Sequence, residues 1–328
     1  MLKIVELRIG NFVEEDFKSF FTNYNLENFY RLNLNIDTEK FHSFLMQKLK
    51  RRVESRNGDF WMIIGNENKI TAVFGLEKEI NSSEHYGKII YNLSSFYNFS
   101  DTSKEAFLLI NEKINEYQKR HHIDYIKCKI DLADHKNISS LLDEHFHYYA
   151  SSQKIYLDFN TYGYPQRVTK GRYKVREYHE QSDLKECLRL LKQHNQNEKY
   201  YNQEFAVERT QIIFEKWFIR QSKNENSTTL VLYDATNNNK IIGVSIHSFP
   251  KQFNESLDLN IITWDIAVLD EKERGNGLTT LLFSEIIFRT QKSIEGSTMS
   301  DNLMLQKFVH KFGFFVVGTF VYLGKKYY

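Results

Sequence analysis

The chain has 328 residues, of which 41% are apolar and 26% charged, with 44 Lys and Arg against 42 Asp and Glu. That length suits two domains of about 160 residues each, and a net charge of +2 offers no basic face for nucleic acid. No apolar run approaches the ~20 residues that span a bilayer, and MLKIVELRIG opens as a strand rather than a leader peptide.

The first half begins with the alternating pattern KIVELRI, then a helical stretch around EEDFKSFF and a second helix, DTEKFHSFLMQKLKRRVESR. FWMIIGNENKITAVFGL reads as two strands joined by a polar turn, and KIIYNLSSF as a third. A helix, the short strand YIKCKID, a helix beginning at Asn137 and a final β segment follow. The polar, aperiodic NTYGYPQRVTKG, with Pro165, is the natural linker.

The second half repeats the order. YKVREY, DLKECLRLLKQ, FAVERTQIIFEKWFIRQ, TLVLYDATNNNKIIGVSIHSF and LNIITWDIAVL come in sequence, followed by a helix, IEGSTMS, a helix beginning at Asn302 and a closing β segment. Matched elements stand about 165–171 residues apart. The reading is α+β: two copies of one β-α-α-β-β-β-α-β-α-β module. Its boundaries are 1–160 for the first domain, 161–171 for the linker and 172–328 for the second domain. Cys128 and Cys187 sit in different halves and read as reduced cytoplasmic thiols.

One loop carries chemistry. DEKERGNGLTTLL, residues 270–282, lies between the strand IITWDIAVL and a helix whose Leu278, Leu281, Leu282 and Ile286 share a face. The first turn of a helix has unpartnered N–H groups and a positive dipole end. Gly275 and Gly277 let the backbone approach a ligand, and Arg274 adds a charge-assisted contact to phosphate. A plain glycine turn is the competing reading. No Lys-Ser/Thr pair follows the last glycine, as a Walker loop requires, and the third glycine of a dinucleotide fingerprint is missing.

IAVLDEKERGNGLTTLL resembles the acetyl-CoA signature of the GNAT superfamily of N-acetyltransferases. Arg274, Gly277 and the pair Ala267-Val268 fit it, and Thr279 departs from the usual Gly or Ala. NLMLQKFVHKFGFFVVGTFVYL, residues 302–323, resembles the family's closing segment, with Asn302, Gly313 and Phe314 in place. The resemblance covers about 173–328 by motif. Residues 3–159 match in element order only. The first half lacks the loop: YNFSDTSKEAF has neither glycine nor arginine, and Asp101 or Thr102 would cap its helix.

The resemblance implies two tandem GNAT-like modules, each a mixed, mostly antiparallel sheet flanked by helices. Only the second binds acetyl-CoA, as co-substrate, through Ile266, Ala267, Val268, Arg274, Gly275, Asn276, Gly277, Leu278, Thr279 and Asn302. It also implies attack of an amine on the acetyl thioester. The oxyanion would be met by N–H groups of the strand 264–269, if that strand is splayed from its neighbour. Asp265, a carboxylate in an apolar strand, is the first candidate base, against a role in ion pairing or at a strand edge. His247 is the alternative base, against a plain hydrogen-bonded role. Many members carry a Tyr five residues before the Phe of Gly-Phe; Val309 stands there, with His310 and Tyr322 nearby in sequence.

His121, His122, His135, His145 and His147, with Asp131, Asp134 and Cys128, match no zinc spacing and read as a solvated surface, so no metal is expected. KLKRRVESR is a basic helix end that suits the dipole. QKSIEGSTMSDN resembles a strand of sugar-nucleotide N-acetyltransferases of the TDP-fucosamine type. The expected reaction is N-acetylation of a primary amine on a small molecule such as an amino sugar, in the cytoplasm. No nucleic acid or membrane partner is expected, and a homodimer is compatible with the sequence. A non-catalytic acetyl-CoA sensor and an acyl or aminoacyl transferase with another donor are the alternatives.

Overall fold

The computed structural model describes residues 2–22, 36–55, 57–98, 103–159, 168–195 and 207–327. The chain divides into two compact units. One is Met1–Gln153 with Met299–Asp301 and Val317–Tyr328; the other is Lys154–Thr298 with Asn302–Val316. Most of the linker expected at 161–171 lies outside the described residues, as do the cap candidates Asp101 and Thr102.

The first repeat runs β1 (Lys3–Leu7), α1 (Glu14–Thr22), α2 (Thr38–Ser55), β2 (Gly58–Ile64), β3 (Ile70–Lys78), α3 (Ile80–Tyr86) and β4 (Ile90–Asn98). It continues with α4 (Ser103–His121), β5 (Tyr125–Asp131), α5 (His135–Asp143) and β6 (His147–Leu157). The second repeat runs β7 (Tyr173–Glu177), α6 (Glu180–Asn195), α7 (Val207–Ser222), β8 (Ser227–Asp234), β9 (Lys240–Ser248), α8 (Lys251–Leu257) and β10 (Ile261–Leu269). It closes with α9 (Thr279–Thr290), β11 (Ser293–Met299), α10 (Leu303–Lys311) and β12 (Phe315–Lys326).

Each unit holds six adjacent strands, and one neighbouring pair in each runs parallel. In the first unit the order is β1-β2-β3-β4-β5-β12, with β4 and β5 parallel. In the second it is β7-β8-β9-β10-β11-β6, with β10 and β11 parallel. The last strand of each six comes from the other repeat. β12 pairs with β5 from Phe320↔Asp131 to Lys326↔Tyr125. β6 brings Ile155 and Leu157, with Phe159 just after it, into the core of the second unit, and its Lys154 lies 2.8 Å from Glu295 of β11.

Two short helices were not expected from the sequence. α3 and α8 each turn between the third and fourth strands of their repeat. Seven-residue helices are marginal alone, and tertiary bonds account for these two. Ser83 of α3 exchanges hydrogen bonds with the N–H and C=O of Ile90 at 3.0 and 3.3 Å. Asn254 of α8 does the same with Ile261 at 3.2 and 2.8 Å. The expected start of α5 at Asn137 also moves: the helix begins at His135, because the Asp134 side chain caps it by accepting the Asn137 N–H.

In the first unit, Ala106, Phe107, Ile110, Ile114 and Tyr117 give α4 one buried face against Phe74, Leu76 and Leu93. In the second unit, α9 covers one face of the sheet with Leu281, Leu282, Phe283, Ile286 and Ile287 around Trp264. α6 and α7 cover the other, with Cys187, Leu190, Leu191 and Phe218 against Val244, Ile246 and Val268. No helix among the described residues is long and apolar enough to cross a membrane.

Candidate active site

β10 positions the site. It pairs with β11 only from Ile261↔Ser293 to Trp264↔Gly296, and the ladder stops there although both strands continue. On its other edge β10 stays paired with β9 to Leu269↔Gly243. The strand is therefore laddered on both edges in its first half and on one edge in its second. Successive N–H groups of a strand alternate between its edges. The Asp270 N–H donates to Ile242 O of β9 at 2.8 Å. Counting back, the Ala267 N–H falls on the edge from which β11 has diverged. The splay expected of strand 264–269 is thus present, and Ala267 carries a backbone donor into it.

The pairing of β10 with β9 slips between Trp264 and Ile266, which places a β-bulge at Asp265. The two cores register the slip. Ile262, Trp264, Ala267 and Leu269 pack with α9, whereas Ile266 and Val268 pack with α6 and α7. The alternation breaks at Asp265, which joins Ile266 on the α6–α7 face. The Asp265 carboxylate accepts a hydrogen bond from Ser248 Oγ, and Ser248 Oγ lies 3.1 Å from Ser227 Oγ. The Asp265 residue is exposed to solvent on this face. The surrounding protein nonetheless displaces enough water to push its carboxyl up to about 6, against the opposing effect of the Ser248 bond.

His247 sits on the opposite face. It pairs with Trp264, is 2% exposed, and sets its ring edge-on to Phe283 at 5.9 Å. Burial pushes its imidazole down to about 3, and its ring shares a hydrogen bond with Ser245 Oγ at 3.2 Å. A group so far from titration does not hold a proton at neutral pH. The two candidate bases are not brought together, and only Asp265 meets solvent.

The loop follows β10 directly. Asp270 is buried, caps a short 3-10 turn over Glu271–Glu273, and is held by Arg189 at 3.0 Å. Arg274 ends that turn, exposed, its nearest acid Glu271 at 3.7 Å. Gly275 has φ +82° and Gly277 φ +67°, the left-handed region that disfavours a side chain. A Cβ at Gly275 would meet nothing within 4 Å, so packing does not demand that glycine. Leu278 is fully buried and precedes α9 with no side-chain cap; its carbonyl takes the Leu281 N–H at 3.0 Å, so the N–H groups of Thr279 and Thr280 start the helix without a side-chain partner. Sequence reasoning missed Lys170, whose ammonium donates to the Asn276 carbonyl, and Tyr173, whose hydroxyl donates to Glu273 at 3.0 Å.

Of the other expected residues, Asn302 caps α10 by accepting the Leu305 N–H at 3.1 Å. Val309 is 5% exposed in the α9 core, and His310 is exposed on the far side of α10. Tyr322 belongs to the first unit, where its hydroxyl lies 3.1 Å from Ser152 Oγ. Within the histidine-rich stretch, His121 stacks on Tyr117 at 4.0 Å. Among the described residues no three metal-binding side chains converge.

The first unit carries the same backbone break. β4 and β5 pair from Ile90↔Tyr125 to Leu93↔Cys128 and then stop, and the β3–β4 register slips near Ser95, whose φ is +49°. Here a buried side-chain network joins the two elements beside the break. Asn98 Nδ2 donates to Asn137 Oδ1 at 3.0 Å, and Asn137 Nδ2 donates to Asn98 O and Asp134 Oδ2, both at 2.8 Å. Asn98, Asn137 and Asp134 are all buried. This stitch ties the end of β4 to the start of α5. Leu269 and Leu305 stand at the matching places in the second unit, and neither can make it.

No family model matches the chain, and no curated protein matches it. Solved structures do. A GCN5-related N-acetyltransferase from Sphaerobacter thermophilus superposes with a TM-score of 0.59 at 11% identity, over 86% of this chain and 85% of that one. A tandem GNAT protein from the clavulanic acid biosynthesis pathway gives 0.54 at 12% identity, over 99% of this chain and 98% of its own. The fold is a tandem GNAT fold. A third GNAT structure is a GCN5-related glucosamine N-acetyltransferase region of a fungal multi-domain GH3 β-N-acetylglucosaminidase. It gives 0.60 at 11% identity, over 99% of this chain and 38% of that one. At such identities the likeness carries the GNAT fold and no more.

Proposed function

We propose that the second unit is an N-acyltransferase site that moves an acetyl group from acetyl-CoA to a primary amine. The observation that carries this reading is the end of the β10–β11 ladder at Trp264↔Gly296, with an uncapped helix start and two positive-φ glycines following on the same strand. The opening suits an extended acyl-pantetheine arm. The loop suits the pyrophosphate, which Gly275, Asn276, Gly277, Leu278 and Thr279 would meet through the backbone, with Arg274 adding charge. Ile266, Ala267 and Val268 line the strand beside the arm, and the Ala267 N–H would meet the oxygen that becomes negative. A preorganised donor of this kind is worth about 3–4 kcal/mol.

Asp265 acts as the base. It lies on the α6–α7 face, one bulge away from that donor strand, and takes a proton from the attacking amine. Its raised carboxyl remains ionised at neutral pH and holds a proton more readily than an ordinary aspartate does. The acceptor is a small-molecule amine; an amino sugar is one such class, and the fungal GNAT structure is a glucosamine N-acetyltransferase region. Cys128 and Cys187 are free and buried, which suits a reducing, cytoplasmic setting.

One observation favours a second reading, a site that binds acetyl-CoA without turnover. Val309 fills the core where a Tyr could protonate the leaving thiolate. A thiol of ordinary pKa near ~8.5 can leave unprotonated, so a missing acid slows the reaction rather than forbidding it. Calorimetry with acetyl-CoA, followed by thiol release over a panel of primary amines, separates the readings. Binding with release supports the enzyme, binding without release on any amine supports the second reading, and no binding refutes both.

A further inference from the structure

Asp265 does not stand alone on its face of the sheet. Ser248 of β9 is in register with Thr263 of β10 on one side and Ser227 of β8 on the other. Its hydroxyl donates to Asp265 Oδ2 and contacts Ser227 Oγ at 3.1 Å. An ionised carboxylate only accepts, so Ser248 is the donor in that bond. Its remaining oxygen lone pairs are then open to the Ser227 O–H, and the two bonds point the same way and polarise each other.

We infer that Ser248, backed by Ser227, is a positioning residue for Asp265, holding Oδ2 so that Oδ1 is presented to the acceptor amine. The inference rests on the base role given to Asp265 above. The bulge explains why the device is needed. It turns Asp265 onto the same face as Ile266 but leaves its side chain at a kink, where no ladder neighbour fixes it. A hydroxyl from the adjacent strand supplies that constraint. The proton's path is simple: it leaves the amine nitrogen for Oδ1 while Oδ2 keeps its bond from Ser248, and no other bond changes at this step.

Among the described residues, the charged groups around this face do not replace Ser248. Glu295 of β11 is paired with Lys154 of β6 at 2.8 Å. α6 and α7 turn Leu190, Leu191, Phe218 and the neutral Cys187 thiol toward the sheet. Among the described residues, crowding by surrounding protein and the Ser248 bond are the two influences on the Asp265 carboxyl.

The test is a carboxyl-carbon NMR titration of the full chain, with the Asp265 signal identified by its loss in Asp265→Asn. The wild-type midpoint should lie near 6. Ser248→Ala removes a bond to the charged form and should raise the midpoint by about one unit, a tenfold gain in proton affinity. Ser248→Thr should restore it, and Ser227→Ala should give a smaller rise. With an amine that scores in the panel, the acidic limb of kcat/KM should move with the midpoint while the Kd for acetyl-CoA stays fixed. An unmoved midpoint in Ser248→Ala, or a Thr variant that behaves like Ala, overturns the inference and leaves the base role standing. Full turnover in Asp265→Asn overturns the base role whatever the serines do.

Discussion

Replacing Asn137 by Ala should cost about 3–4 kcal/mol of stability, although Asn137 touches no part of the proposed site. The side chain is 1% exposed and takes part in three side-chain hydrogen bonds, two donated and one accepted. Truncation leaves the Asn98 carbonyl, the Asn98 amide and the Asp134 carboxylate each short of a partner in a buried place. A buried polar group left unmade costs about 1–3 kcal/mol. The three do not add, because they share one network and water can enter the space vacated, so the lower part of the summed range is the expected loss. Against a total of roughly 5–15 kcal/mol that is a large fraction. Urea unfolding followed by circular dichroism measures it, with Ser140→Ala as the control: that hydroxyl bonds Lys136 O on the exposed side of the same helix. The pH dependence gives a second readout. Burial raises the Asp134 carboxyl above its ordinary range, opposed by the bonds from Asn137. Losing the side-chain bond, while the backbone N–H bond stays, penalises the charged form, so the deficit should be largest at neutral pH and shrink as acid protonates Asp134. A loss below about 1 kcal/mol, or one that grows in acid, would refute the idea that this stitch holds the end of β4 to α5.

Three further outcomes follow from the same geometry. Asp265→Asn should cut turnover by about 10²–10⁴ while sparing acetyl-CoA affinity, and the wild-type rate should fall as pH drops through about 6; an undiminished rate removes Asp265 as the base. Gly277→Ala places a Cβ at φ +67°, costing about 1–2 kcal/mol of local strain, and should weaken acetyl-CoA binding at least about tenfold in calorimetry; an unchanged Kd takes the loop out of the site. A fragment of residues 172–328 lacks β6, and with it Ile155, Leu157 and Phe159, which are 1–4% exposed in the second core. At about 1.5–3 kcal/mol for each buried side chain, that fragment should fail to fold alone and recover when a 147–159 segment is added; a cooperative melt of the bare fragment contradicts the strand exchange.

Much of the fold is written locally. Element order and the offset between repeats follow from hydrophobic period, and the structure keeps the starts of matched elements about 166–176 residues apart. The glycine loop is legible because it needs only residue type and its place between a strand and a helix. What escapes the sequence is what depends on distant partners. α3 and α8 have little periodicity of their own and rest on Ser83 and Asn254 bonding the strand that follows. The exchange of β6 and β12 is a pairing choice between remote segments, which no local pattern records. The bulge at Asp265 is hidden because Ile262, Trp264, Ile266 and Val268 read as one unbroken alternation, and only the two cores show that it breaks. Lys170 stands in a stretch whose composition says turn, and nothing in that composition points it at the Asn276 carbonyl. Ser248 looks like the polar end of a strand until Asp265 is placed beside it.

Calorimetric titration of the full chain with acetyl-CoA tests the central claim most directly. One site of micromolar affinity per chain is expected, weakened in Arg274→Ala and absent from any second site in the stitched first unit. No heat of binding at millimolar acetyl-CoA, or two equivalent sites per chain, would contradict it.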